Sequence, residues 1–162
     1  MENDFHDAFR YRARSPLPTV DGFLFIELST QPIPYHIAYC YAGVVDQELC
    51  HMLARQSCRI ACMAKDVTRG RLPRSKLRRF VTPQCSARLL TMSDLIGRDA
   101  DQAGGQLGLP VIPQMVSGMM ITPERIESAV HLTVGADHHW VNLSMRYIGS
   151  RWLCDMARSE EH

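Results

Sequence analysis

The chain has 162 residues, 46% of them hydrophobic and 22% charged, with 18 Lys and Arg against 17 Asp and Glu. That length suits one ordinary domain, and the chain is too apolar to be wholly disordered and too balanced in charge to be a polyelectrolyte tail. No apolar run reaches the ~20 residues that span a bilayer, and Met1-Glu2-Asn3-Asp4 is an acidic start with no apolar stretch behind it, so neither a membrane span nor a secretory signal is expected.

Residues 1–44 read as an irregular N-terminal arm. Pro16, Pro18, Pro32 and Pro34 fall within it, and proline lacks the backbone donor that helices and inner strands use. Phe23-Leu24-Phe25-Ile26-Glu27-Leu28 is a short extended segment expected to cover an edge or face of its own domain, with a linear motif for a partner as the alternative. Residues 45–158 read as the domain and 159–162 as a tail.

The spacing of Leu49, Leu53, Gln56, Ile60, Met63 and Val67 predicts a helix over 46–69, its apolar stripe widened by Met52 and Ala64. Asp46 is a suitable N-cap and Gly70 a suitable stop. A short helix over 74–80 would bury Leu77 and Phe80. Thr82-Pro83 starts another, with Cys85, Leu89, Met92 and Ile96 on its buried side, and Gly104-Gly105 ends it. A loop runs from Gly104 to Pro113.

The period then changes from 3.6 to 2. Met115 to Thr122 reads as a strand. Over 125–134, Ile126, Ser128, Val130, Leu132 and Val134 alternate with Glu127, Ala129, His131 and Thr133. After Gly135-Ala136-Asp137, a third strand places His139, Val141, Leu143, Met145 and Tyr147 on one face. Gly149-Ser150 forms a tight hairpin into a last strand carrying Trp152, Cys154 and Met156. Helices followed by an antiparallel meander make an α+β fold, with the helices on one face of the sheet.

Six cysteines invite a disulfide framework, but most sit in apolar periodic segments with no export signal ahead of them. They are expected as reduced core thiols in the cytoplasm. Cys58 and Cys62, with Cys50-His51 two turns earlier, offer only one close ligand pair, whereas structural zinc uses two. No metal and no cofactor is therefore implied.

The strongest local feature is basic. Arg69, Arg71, Arg74, Lys76, Arg78 and Arg79 place six cations in eleven residues with no acid among them. Such a block attracts acidic protein surfaces or phosphates. The net charge of +1 and the 7% aromatic content argue against nucleic acid, and a solvated corner is the plain structural reading. His131, His139 and Asp155 form a second candidate set, for acid–base work in a pocket. Against it, Asp137-His138 falls at a turn and adjacent histidines point to opposite faces of a strand.

Two stretches carry a family resemblance. One is Arg69-Gly70-Arg71-Leu72-Pro73-Arg74-Ser75-Lys76-Leu77-Arg78-Arg79-Phe80-Val81-Thr82-Pro83. The other runs from Glu127 to Cys154 and centres on Arg146-Tyr147-Ile148-Gly149-Ser150-Arg151-Trp152-Leu153-Cys154. Together they resemble the small actinobacterial proteins often encoded near the SecA preprotein translocase gene, over about residues 46–158, with Phe80 where that pattern favours Trp. The resemblance implies a variable proline-containing arm, a nuclear-transport-factor-2-like cone and a link to export or envelope biology. It implies no catalytic residues.

The function expected from these features is a non-enzymatic module that binds a protein segment or a second copy through the open face of its sheet. Arg71, Arg78 and Arg79 would be peripheral anchors for an acidic partner. Glu127, Arg146 and Trp152 would hold the strands together, the first two as a cross-strand pair. A small-molecule-binding or acid–base enzyme is the alternative, and a nucleic-acid-binding regulator the second.

Overall fold

A computed structural model describes residues 17–27, 29–89 and 108–161. The expectations for Met92, Ile96 and Gly104-Gly105 lie outside them. The fold is α+β. Six strands form one sheet in chain order: β1 (Thr19–Leu24), β2 (Ile33–Tyr39), β3 (Val111–Thr122), β4 (Arg125–Val134), β5 (Asp137–Ile148) and β6 (Arg151–Glu161). Every neighbouring pair is antiparallel except β2 and β3, which run parallel. Between those two lies α1 (Gln47–Thr68), with a 3₁₀ turn (Arg74–Leu77) and a helical stretch that begins at 83. Parallel neighbours need such a crossover, because a tight turn cannot join them.

The first correction concerns residues 1–44. Residues 19–24 and 33–39 are strands of the sheet, and Val20, Leu24, Ile33, Tyr35, Ile37 and Tyr39 are buried in the common core. The prolines are placed where they do no harm. Pro18 precedes β1, and Pro34 precedes Tyr35, where pairing with β3 begins, so no inner ladder needs its missing N–H. Gly22 of β1 is required by a close approach: a Cβ there would lie 2.6 Å from the Tyr35 ring. At the other end β6 runs to Glu161, so residues 159–161 continue a strand where a tail was expected.

α1 follows its sequence signals. The Asp46 carboxylate accepts from the Leu49 N–H at 3.0 Å, and the helix ends just ahead of Gly70. Its buried side includes Cys50, Leu53, Ala54, Ser57, Cys58, Ile60 and Ala61. Small residues at 54, 57, 58 and 61 let the helix lie close to the sheet, where the Ser128 hydroxyl donates to Ser57 Oγ at 3.1 Å. Helical residues 83–89 start as predicted, with Thr82 Oγ1 accepting from the Cys85 N–H, and bury Cys85 and Leu89. Cys40 is half-buried, the other five cysteines are buried, and all six are free thiols.

β4 and β5 bury the alternating sets expected of them as far as Met145, whereas β3 shifts register between Pro113 and Met115 and between Met120 and Thr122. Gly149 and Ser150 both take left-handed φ, at 57° and 66°, as a two-residue hairpin with right-twisted strands demands. The register then slips: Ser144 faces Met156 while Met145 faces Cys154, leaving Asp155 as the extra residue of a β-bulge. The slip moves Met156 out of the core into solvent. Tyr147, expected inside, is also exposed near the hairpin.

Tyr39 joins the corrected segment to α1. Its buried hydroxyl accepts from the Asp46 N–H at 3.1 Å and from the Cys50 thiol at 3.4 Å. Burial, followed by the bond with Cys50, pushes its ionisation up to about 12. Below pH 10 the phenol is neutral in the folded and the unfolded chain, and its contribution is complete. Between pH 10 and 12 only the unfolded chain ionises, so stability falls by about 2 kcal/mol. Urea denaturation of wild type and Tyr39→Phe at pH 9 and pH 12 checks this. The variant is expected to start ~1 kcal/mol weaker, from the lost hydrogen bond, and to lose less over that range. Equal losses in both proteins would show that Tyr39 ionises within the fold.

Candidate basic and apolar groove

One flank of α1 carries Met52, Arg55, Gln56, Arg59 and Met63 at three- and four-residue spacing, with the buried Ile60 at its base. With Phe80 opposite, they line a groove of about 380 Å³. Among the described residues, no acidic side chain lines it. Met52, expected to widen the core stripe, is instead 42% exposed at the groove.

Hydrogen bonds fix the far wall. Cys154 N–H donates to Phe80 O at 2.7 Å and Thr82 N–H to Cys154 O at 2.8 Å, so the chain at 80–82 bridges to β6. Gln56 Nε2 donates to Trp152 O at 3.1 Å, tying the helix wall to the same strand. The Arg79 guanidinium lies over the Phe80 ring, 5.7 Å from its centroid, where the ring face attracts a cation. Arg151 donates to Arg79 O at 3.4 Å and adds a further cation to this corner.

The six-cation block divides in two. Arg69 and Arg71 both donate to Leu109 O and clasp the end of α1 to the chain entering β3. Arg69 also pairs with Asp66 at 3.5 Å. Of the three expected anchors, Arg71 is therefore spent on the chain itself. Arg78 and Arg79 are exposed beside Phe80. Arg55 and Arg59, one helical turn apart on α1, complete the basic lining. The sequence analysis singled out neither of them, since periodicity has no means of bringing a helix flank to Phe80.

The fold sets the second candidate set apart. His139 pairs with Leu132 on the helix-covered face and is buried. His131 pairs with Trp140 on the opposite face. There its ring stacks on Trp140 at 4.8 Å and its Nε2 meets His138 Nδ1 at 2.8 Å. Burial, and then the neighbouring His138, lower the His131 ionisation. Asp155 sits at the bulge, opposite Ser144 and Met145, whereas His139 faces Glu161. Five residues along a ladder separate them by ~17 Å. These three side chains share no pocket.

The expected cross-strand pair is also rearranged. Glu127 faces Ser144 and pairs with Arg125 at 2.9 Å, while Arg146 pairs with Asp155 at 3.7 Å. Arg125 and Arg146 face each other across the ladder, so each pair offsets a like-charge contact. Trp152 packs half-buried against the core, with Tyr147 at 5.6 Å.

Among the described residues, no helix is long and apolar enough to cross a membrane. No three His, Cys, Asp or Glu side chains among them are grouped to hold a metal ion. Compared with known protein families, curated proteins and solved structures, the chain finds no match.

Proposed function

We propose that this chain is a non-enzymatic binding module of the cytoplasm that takes an acidic, apolar-anchored segment of a partner protein into the groove between α1 and Phe80. One observation carries the reading: Arg55, Arg59 and the Arg79-covered Phe80 ring surround an apolar lining of Met52, Ile60 and Met63 with no acid among the lining residues. Arg presents a planar fork to carboxylates, and Met and Phe accept varied apolar side chains. Helix-in-groove recognition uses that combination. Arg78 steers from the rim.

Helices on one face of a six-stranded sheet are what a nuclear-transport-factor-2-like cone requires, and we adopt that cone as the finer fold. The resemblance to proteins encoded near the SecA gene favours a client in protein export. The acid–base alternative draws no support from His131, His139 and Asp155, which lie apart. The nucleic-acid reading is weakened because Arg69 and Arg71 are turned onto Leu109 O.

The test is fluorescence anisotropy with two labelled amphipathic peptides of one apolar pattern, one with Glu and one with Gln on the polar face. The acidic peptide is expected to bind with micromolar affinity and to weaken as salt screens the rim charges. Arg55→Glu/Arg59→Glu should weaken it by about 30-fold, roughly 2 kcal/mol. Equal binding of the two peptides, or full binding by the charge-reversed protein, rejects the groove.

A further inference from the structure

The basic window of the groove has acidic ends. Along the flank of α1 that holds Met52, Arg55, Arg59 and Met63, the same three- and four-residue steps reach Glu48 one turn earlier and Asp66 one turn later. Glu48 is exposed, and Asp66 is half-buried beside Arg69, with which it pairs at 3.5 Å. In chain order the flank runs acid, Met, Arg, Arg, Met, acid. Glu48 precedes Arg55 by seven residues and Asp66 follows Arg59 by seven, so each acid stands ~10 Å beyond the nearer Arg at a rise of ~1.5 Å per residue.

Taking the groove above as the binding site, on which this rests, we infer that its partner is an α-helix carrying two acids one turn apart, with bases rather than acids seven residues to either side of them. The groove holds about 380 Å³, room for the apolar side chains of a helix but not for the helix itself, which is ~10 Å across. The partner's body therefore rides along the rim, and its polar side chains meet those of α1 in order. Acids at its middle meet Arg55 and Arg59. A residue seven further on meets Glu48 or Asp66, where an acid is repelled and a base is paired.

The spacing keeps these contacts apart. A Debye length is ~8 Å at physiological salt, so charges ~10 Å from one another act separately, and neither acid cancels the Arg next to it. Each exposed contact is weak alone, and the register comes from several acting together. Asp66 already shares Arg69, so Glu48 discriminates more strongly. Both charge pairs are centred on Ser57. Charge thus fixes how far along α1 the partner sits and leaves its direction to the apolar anchors. Those are not symmetric: Met52 lies three residues before Arg55, and Met63 four after Arg59.

Fluorescence anisotropy of the full chain with three labelled helical peptides, equal in length and apolar pattern, tests the register. The first carries two Glu one turn apart at its middle and a Lys seven residues outside each. The second exchanges the Glu and the Lys, and the third carries Gln at all of these positions. All three have the same net charge, so bulk attraction to the basic rim does not separate them. The first is expected to bind about tenfold more tightly than the second, and the second no better than the third. Glu48→Lys, an exposed change, is expected to keep the circular dichroism, to weaken the first peptide by about threefold and to strengthen the second by as much. Equal binding of the first and second peptides overturns the register. A preference that survives Glu48→Lys undiminished overturns the role of the flanking acids. Binding by none of the three, while the Glu-faced peptide of the preceding test still binds, overturns the register and leaves the groove standing. Silence from that peptide as well overturns the groove and the register together.

Discussion

A chain cut to begin at residue 45 is expected to be unfolded. Residues 1–44 supply Val20, Leu24, Ile26, Ile33, Tyr35, Ile37 and Tyr39 to the core, all buried. Burying each such side chain stabilises a fold by ~1.5–3 kcal/mol, about 10–20 kcal/mol together. A whole domain is stable by only ~5–15 kcal/mol. The cut also strips β3 of its parallel neighbour along Tyr35–Tyr39, leaving an unpaired inner ladder beneath α1. Flat near-ultraviolet circular dichroism and collapsed amide dispersion are the expected results for residues 45–162. A cooperative thermal transition in that fragment would show that β1 and β2 are a dispensable flap. A point change makes the same test without truncation. Ile37→Asp places an unpartnered carboxylate at a site with no solvent exposure, among the costliest substitutions available to a core.

The prolines concealed these two strands. Ile33, Tyr35, Ile37 and Tyr39 alternate with Pro34, His36 and Ala38 as strictly as any residues of β4, and β2 buries the first set. The period-two signal was present, but proline density outweighed it, although Pro34 stands one residue ahead of the ladder that would exclude it. Where caps and period agreed, sequence and structure agree: Asp46 starts α1, Thr82 starts the helical turns at 83–89, and β4 alternates throughout. The bulge at Asp155 had no such signal. One extra residue in an alternating strand changes no composition, yet it sends Met156 to the outer face and gives Arg146 its carboxylate.

The groove was half legible, for a physical reason. Six cations in eleven residues marked the corner, and charge density is a property of sequence. Assigning each cation a task needed coordinates. Arg69 and Arg71 became clasps because the start of β3 passes the end of α1. Arg55 and Arg59 became groove walls because Phe80 is bridged to β6. Met52 and Met63 fitted a core stripe by spacing alone, but an apolar residue at the border of a helical stripe serves a core or a groove equally well until its neighbour across the gap is known.

Leu77→Ala is expected to damage stability and binding together, whereas Arg78→Glu/Arg79→Glu should damage binding alone. Leu77 closes the 3₁₀ turn and is wholly buried. Its carbonyl accepts from the Phe80 N–H at 2.8 Å and from the Val81 N–H at 3.2 Å, so the turn that carries Arg78 and Arg79 hangs on one buried side chain. Truncation to Ala leaves a cavity and should cost about 3 kcal/mol, or ~6–12 °C in Tm for a chain of this size. With the anchor gone, Phe80 loses its fixed position opposite Arg55 and Arg59, and affinity for the acidic peptide should fall even below the melting range. Leu77→Met keeps most of the volume and should restore both. The exposed Arg78 and Arg79 contribute little to stability, so reversing their charge should change stability by no more than the ~0.5 kcal/mol typical of surface changes while weakening peptide binding. Parallel thermal melts and peptide titrations separate the two effects. A Leu77→Ala protein that melts early yet binds with full affinity would show that the bridge from Phe80 to β6 holds the groove wall without help from the turn.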